Sequence, residues 1–167
     1  MGRDKARLRL GRRTLLGHVR ALAGELGLPV RVIRRDLVAR CGPLGGIYTA
    51  LKTSRTDAVL FLSCDMPFVS AGLVERLLAR RTARPAAIFV ETAGIVGFPI
   101  LLPRAALPAV EAQMTAQRFS LQALATALRA RRLKLGPAQA AQLFNVNTPE
   151  DFAAAGLRWL RKKTSPV

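Results

Sequence analysis

Residues 58–68 read AVLFLSCDMPF and carry the strongest structural signal in the chain. The first six residues, AVLFLS, are almost entirely apolar, which is typical of a strand covered on both faces in a parallel sheet. The run stops at Cys64-Asp65-Met66-Pro67, and a helical pattern with Ser70 as a candidate N-cap follows. Strand, polar turn and helix in this order predict one unit of an α/β domain.

The alternation of helix and strand extends upstream of this stretch. Apolar residues at helical spacing predict a helix over residues 14–27, ending at Gly27. The short β-branched run Val30–Ile33 predicts a strand. The glycines of GPLGGI, residues 42–47, predict a loop that precedes a helix running to about Lys52.

The same alternation continues downstream. Residues 86–90 and 97–102 predict two neighbouring strands joined by a turn, and helices are predicted over 104–115 and 120–131. Thr148 and Pro149, with acids just after them, predict the start of a last helix. The whole pattern favours a single, doubly wound α/β domain over all 167 residues, in which ligands collect at the carboxyl ends of the strands.

The chain is strongly basic, with 27 Lys and Arg against 10 Asp and Glu and a formal net charge of +17. The arginines are scattered, and one Trp and one Tyr offer little surface for base stacking. The composition therefore favours small anionic substrates over a nucleic-acid partner. No apolar run approaches the roughly 20 residues that a bilayer crossing needs, so we expect a soluble, cytoplasmic protein without a membrane partner.

Two features stand out as candidates for chemistry. Asp65 ends an apolar strand, where its carboxylate could hold Mg²⁺ against phosphates or could simply close a turn before Pro67. The small residues of GPLGGI would let another molecule approach the backbone, and the N-terminus of the following helix favours anions. A plain tight turn explains GPLGGI equally well.

Other polar residues have an ordinary structural interpretation beside a functional one. Lys5 could neutralise phosphate charge or be a solvated surface lysine, and Asp36 could be only a loop acid. Asn145 and Asn147 precede a helix cap and could satisfy local backbone groups or present amides to a ligand. His18 lies beside the apolar stripe of a helix, which favours a structural role.

Four short motifs occur in an order that identifies a family. They are MGRDKA at 1–6, Asp36 followed by GPLGGI at 42–47, LSCDMPF at 62–68, and FNVNTPEDF at 144–152. Together they resemble the molybdenum cofactor guanylyltransferases and their close relatives. The resemblance implies a three-layer, Rossmann-like nucleotidyltransferase fold with a mostly parallel sheet.

The resemblance also implies a reaction, its partners and its site. GMP from GTP would be joined to the terminal phosphate of molybdopterin with release of pyrophosphate, Mg²⁺ would be the cofactor, and client molybdoenzymes or their chaperones would be partners. Lys5 and Asp65 match the catalytic residues, and Asp65 matches the metal ligand. Asn145 and Asn147 would lie on the pterin side. Nucleotide-binding roles fall on Lys5, Asp36, Gly42, Pro43, Leu44, Gly45 and Gly46.

Two departures from the family pattern qualify these expectations. Relatives begin with an apolar strand and a loop of the form LAGGxSxR ahead of the segment seen here as MGRDKA, so we expect the natural protein to extend upstream by roughly 10–20 residues. Only Leu28 and Pro29 separate the first helix from Val30, where relatives carry a base-reading strand and loop. The alternatives are therefore a CTP-using or other nucleotidyltransferase, and a catalytically degenerate homologue that binds the cofactor.

Overall fold

The computed structural model of the protein describes residues 5–82 and 85–164. Contacts divide the chain into two compact units, each assembled from separate stretches of sequence. Unit 1 comprises Met1–Val30, Ser63–Ala71 and Gln139–Val167, and unit 2 comprises Arg31–Leu62 and Gly72–Ala138. The expectation of a single domain stays a prediction.

The helices and strands of the described residues alternate along the chain. The strands are β1 (Arg9–Leu10), β2 (Arg13–Thr14), β3 (Ala58–Phe61), β4 (Ile88–Thr92), β5 (Ile95–Pro103) and β6 (Arg131–Lys134). The α-helices are α1 (Leu15–Glu25), α2 (Pro43–Thr53), α3 (Ala71–Leu78), α4 (Leu107–Thr115), α5 (Leu121–Ala127), α6 (Pro137–Ala140) and α7 (Pro149–Thr164). Short 3₁₀ helices cover Lys5–Arg7, Arg104–Ala106 and Ala141–Leu143. Within these ranges, no helix combines the length and the hydropathy that a bilayer crossing requires.

Unit 2 is built on a mixed four-stranded sheet with the order β3-β5-β4-β6. β4 pairs with β6 in parallel, whereas β5 is antiparallel to both β3 and β4. Three strands therefore run in one direction and β5 runs in the other. The cause is the short turn at Ala93 and Gly94, both with positive φ, because so short a connection can join only antiparallel strands.

Apolar side chains bury both faces of this sheet. Phe89, Ile100 and Leu102 are fully buried in one cluster with side chains of α2, α4 and α5. Leu101 and Leu133 are buried but lie outside that cluster, as the alternation of side chains along a strand requires for the opposite face. A sheet covered on both faces agrees with the α/β class that the sequence predicts.

The strand β3 is less buried than the sequence predicts, which was a strand covered on both faces. A strand at this position is confirmed, but each of its four residues is only half-buried. The reason is that β3 lies at the edge of the described sheet and pairs there with β5. Val59 and Phe61 nevertheless pack against the core of unit 2.

Unit 1 has a smaller core, formed by Leu10, Leu15, Phe68, Val146 and Ala155. The helix α1 confirms the prediction over residues 14–27, and the Thr14 hydroxyl caps it by accepting a hydrogen bond of 2.9 Å from Gly17 N. His18 is buried, with Nε2 at 2.9 Å from the Leu10 carbonyl oxygen and its ring edge-on to Trp159. These contacts agree with a structural role for His18.

Three details of the predicted secondary structure were wrong: one strand, one loop and the end of one helix. Residues 30–33 form no strand, because this short run pairs with no strand of the described sheet. GPLGGI is not a loop beyond Gly42, since Pro43 already occupies the first position of α2. Proline suits that position because its fixed φ is helical and its missing N–H is not needed there. The helix predicted over 120–131 ends at Ala127, and β6 takes its last residue.

Candidate functional site

Asp65 lies in the turn that follows β3 along the chain, within unit 1. Its carboxylate oxygen Oδ1 is buried and has no hydrogen-bond partner among the described residues. Its backbone carbonyl accepts a hydrogen bond of 2.8 Å from Val146 N. Because an unsatisfied buried oxygen costs on the order of 1–3 kcal/mol, the Asp65 carboxylate is suited to a cation or donor supplied from outside the chain.

The segment 144–148 lies beside Asp65 and presents two asparagines. Val146 is fully buried in the core of unit 1, whereas Asn145 and Asn147 on either side of it are exposed. Lys5 Nζ donates a hydrogen bond of 3.2 Å to Asn147 Oδ1. The structure thus places Lys5 and Asp65 in contact with the same short segment.

The start of α7 holds this segment in place. Asp151 Oδ2 accepts hydrogen bonds of 2.9 Å from the backbone N–H groups of Asn147 and Thr148, and Asp151 N donates to Thr148 Oγ1 at 3.1 Å. The two backbone donors are the main reason that the pKa of Asp151 lies below its ordinary value. This reciprocal cap confirms the predicted helix start at Thr148 and Pro149.

The remaining predicted residues form a second group, in unit 2. Gly42, with φ of 51°, is the N-cap of α2, and Pro43 begins the helix. The Asp36 carboxylate lies against the next turn: a Cβ added to Gly45 would be 2.5 Å from Asp36 Oδ2, and one added to Gly46 would be 3.6 Å from Asp36 Oδ1. An anionic group at a helix N-terminus is the arrangement that the helix dipole favours.

Thr49 ties the Asp36 segment to α2. The buried Thr49 hydroxyl donates to the Gly45 carbonyl oxygen at 2.8 Å and accepts from Leu37 N at 2.9 Å. The loop that carries Asp36 is therefore fixed to the first turns of the helix. The absence of a side chain at Gly45 is what leaves room for the Asp36 carboxylate.

The predicted site residues thus fall into two groups, each coherent within its own unit. Unit 1 brings together Lys5, Asp65, Asn145 and Asn147, and unit 2 brings together Asp36 with the residues Gly42, Pro43, Leu44, Gly45 and Gly46. Their roles toward a nucleotide, a pterin or a metal remain predictions.

The donor set agrees with a loosely coordinated magnesium ion better than with a protein-enclosed metal centre. In the described part of the chain, no three His, Cys, Asp or Glu side chains are grouped to hold a metal. Mg²⁺ is commonly bound by one or two carboxylates and completes its octahedron with water and substrate phosphates. The buried, unpartnered Asp65 Oδ1 fits that kind of site.

The sequence did not indicate that Asp151 and Arg158 contact the segments of the site. Asp151 is recognisable as a capping acid three positions after Thr148, but its bond to Asn147 N depends on the folded loop. Arg158 lies on α7 with its guanidinium over the rings of Phe68 and Phe144. No local pattern in the sequence marks Arg158, because both rings come from distant segments.

Comparison with known proteins gives a consistent result. A family model described as the MobA-like NTP transferase domain matches residues 23–133. The molybdenum cofactor guanylyltransferase of Rhizobium leguminosarum bv. trifolii is 33% identical, with coverage of 96% of this chain and 87% of that protein. The molybdenum cofactor guanylyltransferase of Pseudomonas entomophila is 36% identical over 65% of this chain, but this match spans only 58% of the relative.

A solved structure supports the fold independently. Molybdopterin-guanine dinucleotide biosynthesis protein A from Archaeoglobus fulgidus superimposes with a TM-score of 0.69 at 16% sequence identity. The match covers 96% of this chain and 92% of that one. The Rossmann-like α/β fold is thereby confirmed.

Proposed function

Because the chain belongs to the MobA-like NTP transferase family, we propose that it transfers the GMP part of GTP to the terminal phosphate of molybdopterin. An oxygen of the acceptor phosphate forms a new bond to the α-phosphorus of GTP. The bond between the α-phosphorus and the bridging oxygen to the β-phosphate breaks, and pyrophosphate leaves with that oxygen. The acceptor phosphate is itself the nucleophile, so the protein need supply only position and charge.

The observation that carries this proposal is the buried, unpartnered carboxylate oxygen of Asp65. It belongs to a turn bonded to the segment of Asn145 and Asn147, which also receives Lys5. A carboxylate for a metal ion, a cation and two amides, carried by neighbouring segments of unit 1, are groups that suit a reaction between two phosphates.

Asp65 is the residue that would hold the magnesium ion. When bound, Mg²⁺ would neutralise charge on the triphosphate and on the departing pyrophosphate. The Lys5 ammonium adds positive charge beside the segment of Asn147, and its hydrogen bond to Asn147 orients it. Asn145 and Asn147, exposed on both sides of the buried Val146, would present their amides to the pterin.

The nucleotide would be held by the group in unit 2. Asp36 lies at the first turn of α2, where the missing side chain of Gly45 leaves room for its carboxylate, and Gly42, with φ of 51°, caps the helix. GTP is the proposed nucleotide because the relatives described above are named guanylyltransferases. Competition between GTP and CTP measures this preference directly, and faster turnover of CTP would overturn it.

The proposal extends to the setting of the reaction, with family membership as its support. The protein would act in the cytoplasm and pass its product to client molybdoenzymes or to their chaperones. The net charge of +17 suits two polyanionic substrates, because a positive surface raises their local concentration.

The test of this proposal is the substitution Asp65→Asn, with Asp57→Asn as a matched control at an exposed position. Pyrophosphate release is measured with GTP, molybdopterin and Mg²⁺. We expect Asp65→Asn to abolish release while its circular dichroism and unfolding curve remain those of a folded protein, and Asp57→Asn to keep wild-type activity. Full activity of Asp65→Asn would refute the assignment of the metal site.

A further inference from the structure

Arg158, in the middle of α7, contacts two aromatic rings that flank the proposed site in unit 1. Its guanidinium carbon lies 4.6 Å from the centroid of the Phe68 ring and 5.9 Å from that of Phe144. The two rings meet edge-on, with centroids 6.2 Å apart and planes at 67°. Both distances are within the range in which a cation is attracted to an aromatic face.

The two rings belong to the two segments that form the site. Phe68 comes three residues after Asp65 and is buried, and Phe144 directly precedes Asn145. A backbone hydrogen bond of 2.8 Å from Val146 N to the Asp65 carbonyl oxygen joins these segments at the site itself. Arg158 bridges the same two segments from the side of α7.

The guanidinium of Arg158 lies within cation–aromatic distance of both rings. Among the described residues, Arg158 has no ion pair or hydrogen bond, so its cation–aromatic contacts with the two rings define its place. A guanidinium is planar and weakly hydrated and can lie on aromatic faces, whereas an ammonium is a compact, strongly hydrated charge. Lysine is therefore an incomplete substitute at this position.

We propose that Arg158 is a positioning residue: by bridging Phe68 and Phe144 it fixes the segment of Asp65 against the segment of Asn145 and Asn147. As a catalytic statement the proposal rests on the proposed function. Arg158 does not bind substrate, and it acts through the two loops that do. Loss of its side chain should loosen the bond between Val146 N and Asp65 without unfolding unit 1.

The first test needs no enzymatic activity. Hydrogen exchange of the Val146 amide is compared in the wild type, Arg158→Gln, Arg158→Lys and the control Arg20→Gln, which alters an exposed arginine on α1 of the same unit. We expect exchange at Val146 to accelerate roughly 2- to 30-fold in Arg158→Gln, the range equivalent to a cation over an aromatic ring, and less in Arg158→Lys. The Leu15 amide should not change.

The second test separates a positioning role from a direct contact with substrate. In Arg158→Gln, kcat should fall about 10-fold or more, as for other residues that orient a ligating group, while KM for GTP stays nearly constant. Phe144→Leu should produce the same change, and the double variant should be no worse than either single variant. Effects that simply add, or a loss confined to KM, would overturn the proposal.

The amide exchange and the nucleotide transfer distinguish failure of the Arg158 proposal from failure of the proposed function. If the wild type transfers no nucleotide, the proposed function is wrong, and the exchange of the Val146 amide still decides whether Arg158 holds the two segments together. If transfer is normal but the Val146 amide exchanges at the same rate in all four proteins, Arg158 has no positioning role.

Discussion

The first turn of α2 contains two adjacent glycines that differ in what surrounds them. A Cβ at Gly45 would lie 2.5 Å from Asp36 Oδ2 and 3.1 Å from the Val38 carbonyl oxygen, closer than ordinary contact allows. A Cβ at Gly46 would meet only Asp36 Oδ1, at an ordinary 3.6 Å. The substitutions Gly45→Ala and Gly46→Ala therefore place the same methyl group on the same helix in two different environments.

The expected difference follows from two opposing effects. Alanine is favoured over glycine inside a helix by roughly 0.5–1 kcal/mol, and this gain applies to both variants. Overpacking at Gly45 costs about 1–3 kcal/mol, because the Val38 carbonyl is backbone and cannot rotate away as the Asp36 carboxylate can. We expect Gly46→Ala to be more stable than the wild type, and Gly45→Ala to fall about 1–3 kcal/mol below Gly46→Ala.

Urea unfolding followed by circular dichroism measures this difference, since the midpoint shifts at constant slope when only stability changes. In an Asp36→Ala background the gap between the two variants should narrow but remain, because the Val38 carbonyl is still present. Equal stability of Gly45→Ala and Gly46→Ala would show that Asp36 does not lie over Gly45, and would remove the geometric basis of the nucleotide group in unit 2.

Two further predictions concern unit 1. Gly11 has φ of 62°, and a Cβ added there would overlap the Trp159 indole, so Gly11→Ala should destabilise the protein by about 1–3 kcal/mol and shift the tryptophan emission. The control Gly24→Ala places its methyl group in open space and should cause neither change. Equal unfolding midpoints of the two variants would contradict the packing of Trp159 over Gly11. The pKa of Asp151 is lowered by two backbone N–H groups, so its stabilisation is complete above its ordinary pKa of 3.8 and is lost as the pH falls through its lower folded value. Unfolding temperatures of the wild type and Asp151→Ala should therefore differ most at neutral pH and converge in acid, and a constant difference would contradict the cap.

Much of the fold follows from patterns that act over short distances. The apolar run at 58–61 and the cap at Thr148 each predict an element that the structure contains, because hydrophobic periodicity and capping are local. The antiparallel direction of β5 follows from the predicted turn between residues 86–90 and 97–102, because so short a connection can join only antiparallel strands. The half-buried state of β3 depends on which strands pair beside it, and no local pattern reports that.

The sequence predicted several residues of the candidate site but not how they are grouped in the structure. Lys5, Asp65 and Asn147 were selected from motif order, and the structure places Lys5 and Asp65 in contact with the segment of Asn147. The division of the predicted residues between two units could not be read from the sequence, because Ser63–Ala71 packs with distant stretches of chain. Arg158 was missed for the same reason, since its partners lie in segments far from α7.

The most direct test of the proposed reaction is to follow the phosphorus atoms of GTP. Wild-type protein is incubated with molybdopterin, Mg²⁺ and GTP labelled either at the α- or at the γ-phosphate. We predict that the α label appears in a molybdopterin dinucleotide and the γ label in pyrophosphate, only when molybdopterin is present. Release of the γ label as inorganic phosphate, or no transfer of the α label, would contradict nucleotidyl transfer by this chain.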